Sequence, residues 1–315
     1  MSRNRDQLLK IARLYYVEDT PQKEIARKLN VSIATVSRSL ARAKELGLVE
    51  IRVKDENQRH RDLEVALEDC WGLKECIVVP GSARPETTVK ALAAAVDELL
   101  PRVLEPGNML GVSWGETLKG LGEALRPHRR LKVDAVPIIG AMGEVETGVY
   151  PNAIAQTYAA KLGGRAYLVN TPALVDTPEA RETVVRDSSF APVRRLWNRI
   201  DAAMLSVSSV DAEASVSRMG IFSAKQLAAL RKCGVVCATN FNFLDVEGRV
   251  AANPISDLLI NLGYDQLRAK SNVILAAFGR AKVQAIVSAL EGGVGDILLT
   301  DEPTARRCLE LKSRA

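Results

Sequence analysis

The chain has 315 residues, 47% of them hydrophobic and 26% charged, enough to bury a sizeable core in one large domain with a smaller one attached. No apolar run approaches the roughly 20 residues that span a bilayer, and Met1 to Lys10 is polar and charged, unlike a signal peptide, so a cytoplasmic address is expected. Residues 1–60 hold 13 Lys and Arg against 8 Asp and Glu, so the whole positive surplus of five lies there and the remainder is balanced. A small basic module on a large neutral one points to a polyanion partner for the first and a different partner for the second. Cys70, Cys76, Cys233, Cys237 and Cys308 form no CxxC pair, and His60 and His128 are the only histidines. Reduced, mostly buried thiols are therefore expected, with no metal site and no cofactor.

From Arg5 to Tyr16 the apolar residues Leu8, Ile11, Ala12 and Tyr15 fall on one helical face. Thr20 is expected to cap a second helix whose first position is Pro21 and whose inner face is Ile25, Ala26 and Leu29. Asn30 tolerates the left-handed conformation that ends a helix, and Ser32 can cap the next. That third helix should run from Ile33 to about Leu46, burying Val36, Leu40 and Ala43, with Gly47 stopping it. The spacing from Glu24 to Leu46 resembles the helix-turn-helix of bacterial transcription regulators. In that arrangement Ser32, Ile33, Thr35, Ser37, Arg38 and Arg42 would face the major groove, while Arg27, Lys28 and Lys44 would meet phosphates. Val49 to Val53 alternates as a short strand, as a wing would, and the polar stretch Lys54 to Asp62 follows as a linker. The expected division is a winged helix-turn-helix over 1–54, a linker over 55–62 and a large domain over 63–315.

Beyond Leu63, β-rich and helical segments alternate, which favours an α/β domain with a largely parallel sheet. Three segments share one layout. Met109 to Trp114 leads through Gly115 to a helix near Thr117 to Leu125; Val273 to Ala277 leads through Gly279 to a helix near Ala281 to Leu290; Ile297 to Leu299 leads through Asp301 and Pro303 to the last helix. Ligands of open α/β sheets bind beyond the carboxyl ends of the strands, where helix N-termini offer N–H groups to anions, so the three turns are candidate walls of one anion pocket. Neither a GxGxxG nor a GxxxxGK[ST] motif is present. Spacing alone leaves Lys282 either as a phosphate contact or as a solvated first-turn lysine.

The segments "IARLYY", "TVSRSLARAKELGLVEIRV", "GVSWGETL", "DVEG" and "ALEGGVGDILLTDEPTA" resemble, in order and separation, the SorC family of sugar-responsive bacterial regulators. The resemblance implies a winged helix-turn-helix followed by a sugar-binding domain similar in fold to sugar-phosphate isomerases and deaminases. It further implies a tetramer that binds operator DNA and responds to a phosphorylated sugar or polyol. Carried over by position, the phosphate-contacting turns are Gly115, Glu116 and Thr117, the loop from Gly140 to Gly143, and Gly279, Arg280 and Lys282, while Asn152 takes the place of a sugar-contacting amide. Cys237 and Ala238 stand where the family commonly has a Gly-Asp or Gly-Glu pair whose acid binds sugar hydroxyls. This departure implies a different effector or weakened sensing.

The competing reading is an active sugar-phosphate isomerase or deaminase joined to a DNA-targeting module. Such chemistry needs a placed acid or base. His60 lies in the linker and His128 in the charged loop "RPHRR", leaving a carboxylate such as Glu116 as the candidate, and a fold shared with enzymes does not imply catalysis. A ligand-independent DNA-organising protein would leave the large domain without a purpose. An effector-controlled, non-enzymatic regulator is the expected function.

Overall fold

The computed structural model describes residues 2–49, 60–128, 130–142, 150–211, 216 and 220–314. They divide into two compact units, Met1–Glu56 and Asn57–Ala315.

The first unit packs helices α1 (Ser2–Tyr16), α2 (Gln22–Lys28) and α3 (Ile33–Glu45) around Leu8, Ile11, Ala12, Ile25, Ala26, Val36, Leu40 and Ala43, the inner faces that periodicity indicated. Asn30 sits at φ 50° and Gly47 at φ 65°, so both breaks use residues that tolerate the left-handed region. The Ser32 hydroxyl accepts from the Thr35 amide at 3.1 Å and caps α3. The cap on α2 differs from expectation. Pro21 itself is the N-cap, its carbonyl accepting from Glu24 and Ile25, while the Thr20 hydroxyl turns back to the Glu18 carbonyl at 3.4 Å. Proline needs no amide there and its fixed φ already supplies the entry geometry. The expected wing lies outside the described residues from Glu50 onward.

The second unit opens with α4 (Arg61–Trp71), β1 (Glu75–Val79), α5 (Pro85–Val103), β2 (Met109–Val112), α6 (Glu116–Ala124), β3 (Val133–Pro137), α7 (Pro151–Leu162) and β4 (Gly163–Ala166). It continues with α8 (Pro178–Arg186), α9 (Ala191–Asn198), β5 (Ala202–Leu205), β6 (Val207–Ser208), α10 (Ala224–Lys232), β7 (Cys237–Thr239) and β8 (Asn242–Leu244). Last come α11 (Tyr264–Arg268), β9 (Val273–Ala276), α12 (Val283–Glu291), β10 (Ile297–Asp301) and α13 (Glu302–Lys312). Arg61 and Asp62, read from sequence as the end of a linker, form the first turn of α4 because Leu63 and Leu67 start an apolar stripe that packs on the sheet.

Among the described residues one sheet has seven strands in the order β1-β10-β9-β5-β2-β3-β4, all paired parallel. Both faces are covered, so strands such as "VILA" and "ILL" are apolar throughout. Alternate residues divide between the layers: Ile77, Val79, Leu110 and Val112 meet α5, α6 and α7, while Cys76, Val78 and Met109 meet the layer of α4, α9, α12 and α13. Helix α4 also closes the β1 edge. Its Glu64 carboxylate accepts from the Val78 amide at 3.0 Å and Glu68 from the Cys76 amide at 2.9 Å, filling positions that a further strand would otherwise take.

A second, antiparallel sheet, β6-β7-β8, lies beyond what the sequence pattern announced. Its β7–β8 turn is the pair Asn240 and Phe241, both at positive φ, 47° and 57°, the two-residue geometry that matches strand twist. Cys76, Cys237 and Cys308 are buried, Cys70 partly so, and Cys233 exposed. Burial pushes the Cys237 and Cys308 thiols well up. Among the described residues no group of three or more metal-ligating side chains occurs, and no helix is long and apolar enough to cross a membrane.

Candidate functional site

A cleft of about 500 Å³ opens beyond the carboxyl ends of β2, β5 and β9 and beside the small sheet. Two glycines shape it. Gly115 at φ 118° ends the β2 turn and caps α6, and Gly279 at φ 100° ends the β9 turn. A side chain at either would meet open space, so the backbone conformation alone demands glycine. The first turn of α6 presents amides that have no acceptor within the helix, with the positive end of its dipole aimed at the cleft.

Lys282 reaches into this corner from the second turn. Its Nζ donates to Thr117 Oγ1 at 3.0 Å and to Ser206 Oγ at 3.4 Å, tying together segments far apart in the chain. Burial of the ammonium pushes its pKa down from 10.5 to about 8, opposed by the Glu116 carboxylate. A cation held in poor solvent by neutral hydroxyls is a group that an anion would stabilise strongly. The third glycine-like turn does not line the cleft. Asp301 instead caps α13, accepting from the Thr304 amide at 3.0 Å, and the Thr304 hydroxyl accepts from the Gly279 amide at 2.8 Å. It therefore buttresses the turn that carries Lys282. The opposite wall is aromatic: Trp114 and Phe241 pack with centroids 4.9 Å apart, and Phe278 joins the lining.

In the N-terminal unit, Ser32, Ile33, Ser37, Arg38, Arg42 and Lys44 are exposed and Thr35 is half-buried. Apart from Ser32, which is the N-cap, they lie on α3 at positions other than its buried Val36, Leu40 and Ala43. Arg38 folds its Nε onto the Ala34 carbonyl at 3.3 Å, and Arg42 pairs with Glu45 at 2.8 Å. Lys28 and Arg27 stand 3.7 and 4.0 Å from Glu24. Exposed pairs of this kind are weak, so all three arginines and the lysine can exchange partners for phosphates at little cost.

Residues 55–310 match the Sugar-bind family model, a sugar-binding domain, and residues 13–46 match sigma-70 region 4. The deoxyribonucleoside regulator of Bacillus subtilis is 31% identical over 97% of this chain and 98% of its own length. The sorbitol operon regulator of Klebsiella pneumoniae is 29% identical over 96% and 97%. The full-length crystal structure of the Klebsiella pneumoniae sorbitol operon regulator SorC superposes with a TM-score of 0.74, at 29% identity, covering 98% of this chain and all of that one. The chain belongs to the SorC family of transcriptional regulators. Its relatives are named as regulators and not as enzymes.

Of the positions carried over from the SorC-family pattern, Gly115, Glu116, Thr117, Gly279, Arg280 and Lys282 all line the cleft. Gly140 and Asn152 do not. A Cβ on Gly140 would lie 2.4 Å from the Pro172 carbonyl oxygen, and its amide donates to Ile260, so this glycine permits a close backbone approach. The Asn152 amide is paired on both sides with the Val169 backbone, at 2.9 and 3.0 Å, and fixes the start of α7. Gly143 lies outside the described residues. Ala238 lines the cleft, whereas its neighbour Cys237 is buried in the opposite core layer. Ser206, Asn240, Phe241 and Phe278 also line it. Sequence spacing missed them because Ser206 follows a strand with no glycine signal and Asn240 sits in a turn without the usual Asn-Gly pair.

Proposed function

We propose that this SorC-family protein is a DNA-binding regulator of a carbohydrate or polyol catabolic operon, with residues 1–54 reading the operator and residues 63–315 sensing a phosphorylated sugar. The observation that carries the effector half is Lys282 Nζ held 3.0 Å from Thr117 Oγ1 at the N-terminus of α6. Helix N–H groups, a hydroxyl and a cation at one corner suit a phosphate dianion. The relatives, a deoxyribonucleoside regulator and a sorbitol operon regulator by name, support a sugar-related ligand. In this reading Gly115, Glu116 and Thr117 with Gly279, Arg280 and Lys282 form the phosphate end.

On the DNA side, Ser32, Ile33, Thr35, Ser37, Arg38 and Arg42 would enter the major groove, flanked by Arg27, Lys28 and Lys44 on phosphates. One such module makes few contacts, so the protein works as a homo-oligomer, a tetramer, that presents modules to two half-sites. It acts in the cytoplasm.

The test is a pair of variants assayed on both functions. Lys282→Ala should weaken binding of sugar phosphates by about tenfold or more, leaving ligand-free operator affinity unchanged. Arg38→Ala should cost on the order of 1 to 3 kcal/mol at the operator and much less on random DNA. Undiminished sugar-phosphate binding by Lys282→Ala would remove the phosphate from this corner, and equal losses on both DNAs would reduce Arg38 to a phosphate contact.

A further inference from the structure

His60 is the first residue of the second unit that the structure describes, where the chain coming from the DNA-binding unit enters the α/β domain. It caps α4, its carbonyl accepting from the Leu63 and Glu64 amides, both at 3.0 Å. Its imidazole turns to the start of α13. Nε2 is buried, has no hydrogen-bond partner among the described residues and stands 3.4 Å from Glu302 Oε2. That is beyond the usual length of an N–H···O bond, so a small shift of Glu302 makes or breaks the contact. The other oxygen of Glu302 is engaged separately, with Arg306 Nε and Nη2 both 2.8 Å from Oε1.

Glu302 sits in a turn, residues 301–304, that is gripped from several sides. Asp301 Oδ1 accepts from the Thr304 amide at 3.0 Å, which closes the turn on itself. Pro303 is pressed against the loop after β1, where a Cβ on Gly81 would lie 2.5 Å from the proline Cγ and Cδ. The buried Thr304 hydroxyl accepts from the Gly279 amide at 2.8 Å, and Gly279 opens the turn that carries Arg280 and Lys282 into the cleft. A segment packed this closely moves as one piece rather than bending residue by residue. An unbroken run of contacts therefore leads from the Lys282 corner through Gly279 and Thr304 to Glu302, and ends at His60.

We propose that the His60–Glu302 contact reads out the occupancy of the cleft, with Thr304 as the positioning residue that links the two. The proposal rests on the reading above that Lys282 binds a phosphate. A phosphate that draws the Lys282 ammonium off the Thr117 and Ser206 hydroxyls moves the Gly279 turn. The Gly279 amide carries Thr304 with it, and Glu302 follows on the same turn. His60 is then the point at which a ligand held beyond the sheet alters the start of α4, beside the chain that leads back to the DNA-binding unit.

His60 and His128 are the only histidines, so magnetic resonance of the full chain with isotope-labelled histidine shows two imidazole signals, assigned with His128→Gln. Inorganic phosphate is the probe, titrated at constant pH and ionic strength, with its binding measured in parallel by calorimetry. The His60 signal should move with the calorimetric midpoint in wild type and in Thr304→Ser, which keeps the hydroxyl, while the His128 signal stays in place. It should stay still in Thr304→Val and in Glu302→Ala, and Glu302→Ala should bind phosphate within about twofold of wild type because it touches no ligand. Glu302 is half-buried at the head of its helix, so this variant carries the test if the buried Thr304→Val does not fold. A His60 signal that stays still in wild type at saturating phosphate overturns the inference and leaves the phosphate corner intact. Movement that persists in either variant also overturns it, since the change then reaches His60 by another route. Phosphate binding that Lys282→Ala does not weaken, or no binding at all, overturns both readings.

Discussion

Lys282 shows how much one side chain can mean beyond its spacing. From sequence it is a lysine just after a strand-glycine turn, compatible with solvent or with phosphate. The structure removes only the solvated reading, because the hydroxyls that hold Lys282, those of Thr117 and Ser206, lie on other segments and no local pattern links them; the phosphate is the proposal. Its depressed pKa, about 8, carries a sign that can be worked out. The free ammonium is disfavoured by burial, so the unfolded chain binds the proton more tightly than the folded one. Folded stability is therefore reduced below pH 8 and recovers as pH rises from about 8 toward 10.5. Lys282→Met, similar in shape and uncharged, should raise stability at pH 7 by on the order of 1 to 3 kcal/mol in thermal unfolding and flatten that alkaline rise. An anion reverses the balance. A phosphate monoester gains its second charge near pH 6, and Lys282 loses its own near pH 8, so effector affinity should peak between them. By pH 9 it should have fallen about tenfold, with binding near pH 8 accompanied by proton uptake. Calorimetry in buffers of different ionisation enthalpy measures both. A flat profile from pH 7 to 9 would place the phosphate elsewhere.

At the scale of elements, legibility followed locality. Ser32 and Asn30 announced the ends of α3 and α2 because capping and left-handed turns depend on a few adjacent residues. Three strands of the parallel sheet, β2, β9 and β10, were legible as apolar runs because both of their faces are buried. The 3-10 turn at Arg280–Lys282 ahead of α12 was not, since it has the composition of a first helical turn. Nor was the small β6-β7-β8 sheet, whose strands are only two or three residues long and whose turn places Phe241 in a left-handed conformation. Packing against Trp114 and Phe222, at 4.9 and 5.0 Å, holds that ring and offsets the strain. The seat of α6 gives a sharper instance. Glycine inside a helix ordinarily weakens it by about 1 kcal/mol relative to alanine, yet Gly122 sits mid-helix. A Cβ there would lie 2.8 Å from the Tyr158 ring, which is fully buried and donates its hydroxyl to the Leu118 carbonyl at 3.2 Å. Gly122→Ala should therefore destabilise, by on the order of 1 to 3 kcal/mol, against the propensity rule. Because α6 carries Gly115 and Thr117, it should also weaken effector binding. A rise in Tm would mean that α6 and α7 separate without resistance and that the close approach is not what seats the helix.

At the scale of the whole molecule the two units become one device only if their ligands act on each other. The basic surplus is confined to residues 1–60, and the cleft proposed for the effector is lined by residues of the second unit alone. Any influence between them is a coupling free energy, and it must be reciprocal. Operator affinity measured with and without saturating effector should change by some factor, typically about 5- to 150-fold for such couplings. Effector affinity measured with and without operator must change by that same factor and in the same direction. Calorimetry and DNA titration at one salt concentration give the two numbers independently, the fixed salt being essential because phosphate contacts on DNA weaken steeply with ionic strength. If the factors differ while both exceed one, a third equilibrium is present, and light scattering should then show the effector shifting the oligomer. If both factors are one, the effector binds without regulating and the proposed function fails at its centre. Lys282→Ala sharpens the comparison. It should lose the response at effector concentrations that saturate wild type and recover it at concentrations higher by the loss in affinity, because the substitution removes a ligand contact and leaves the linkage between the units in place.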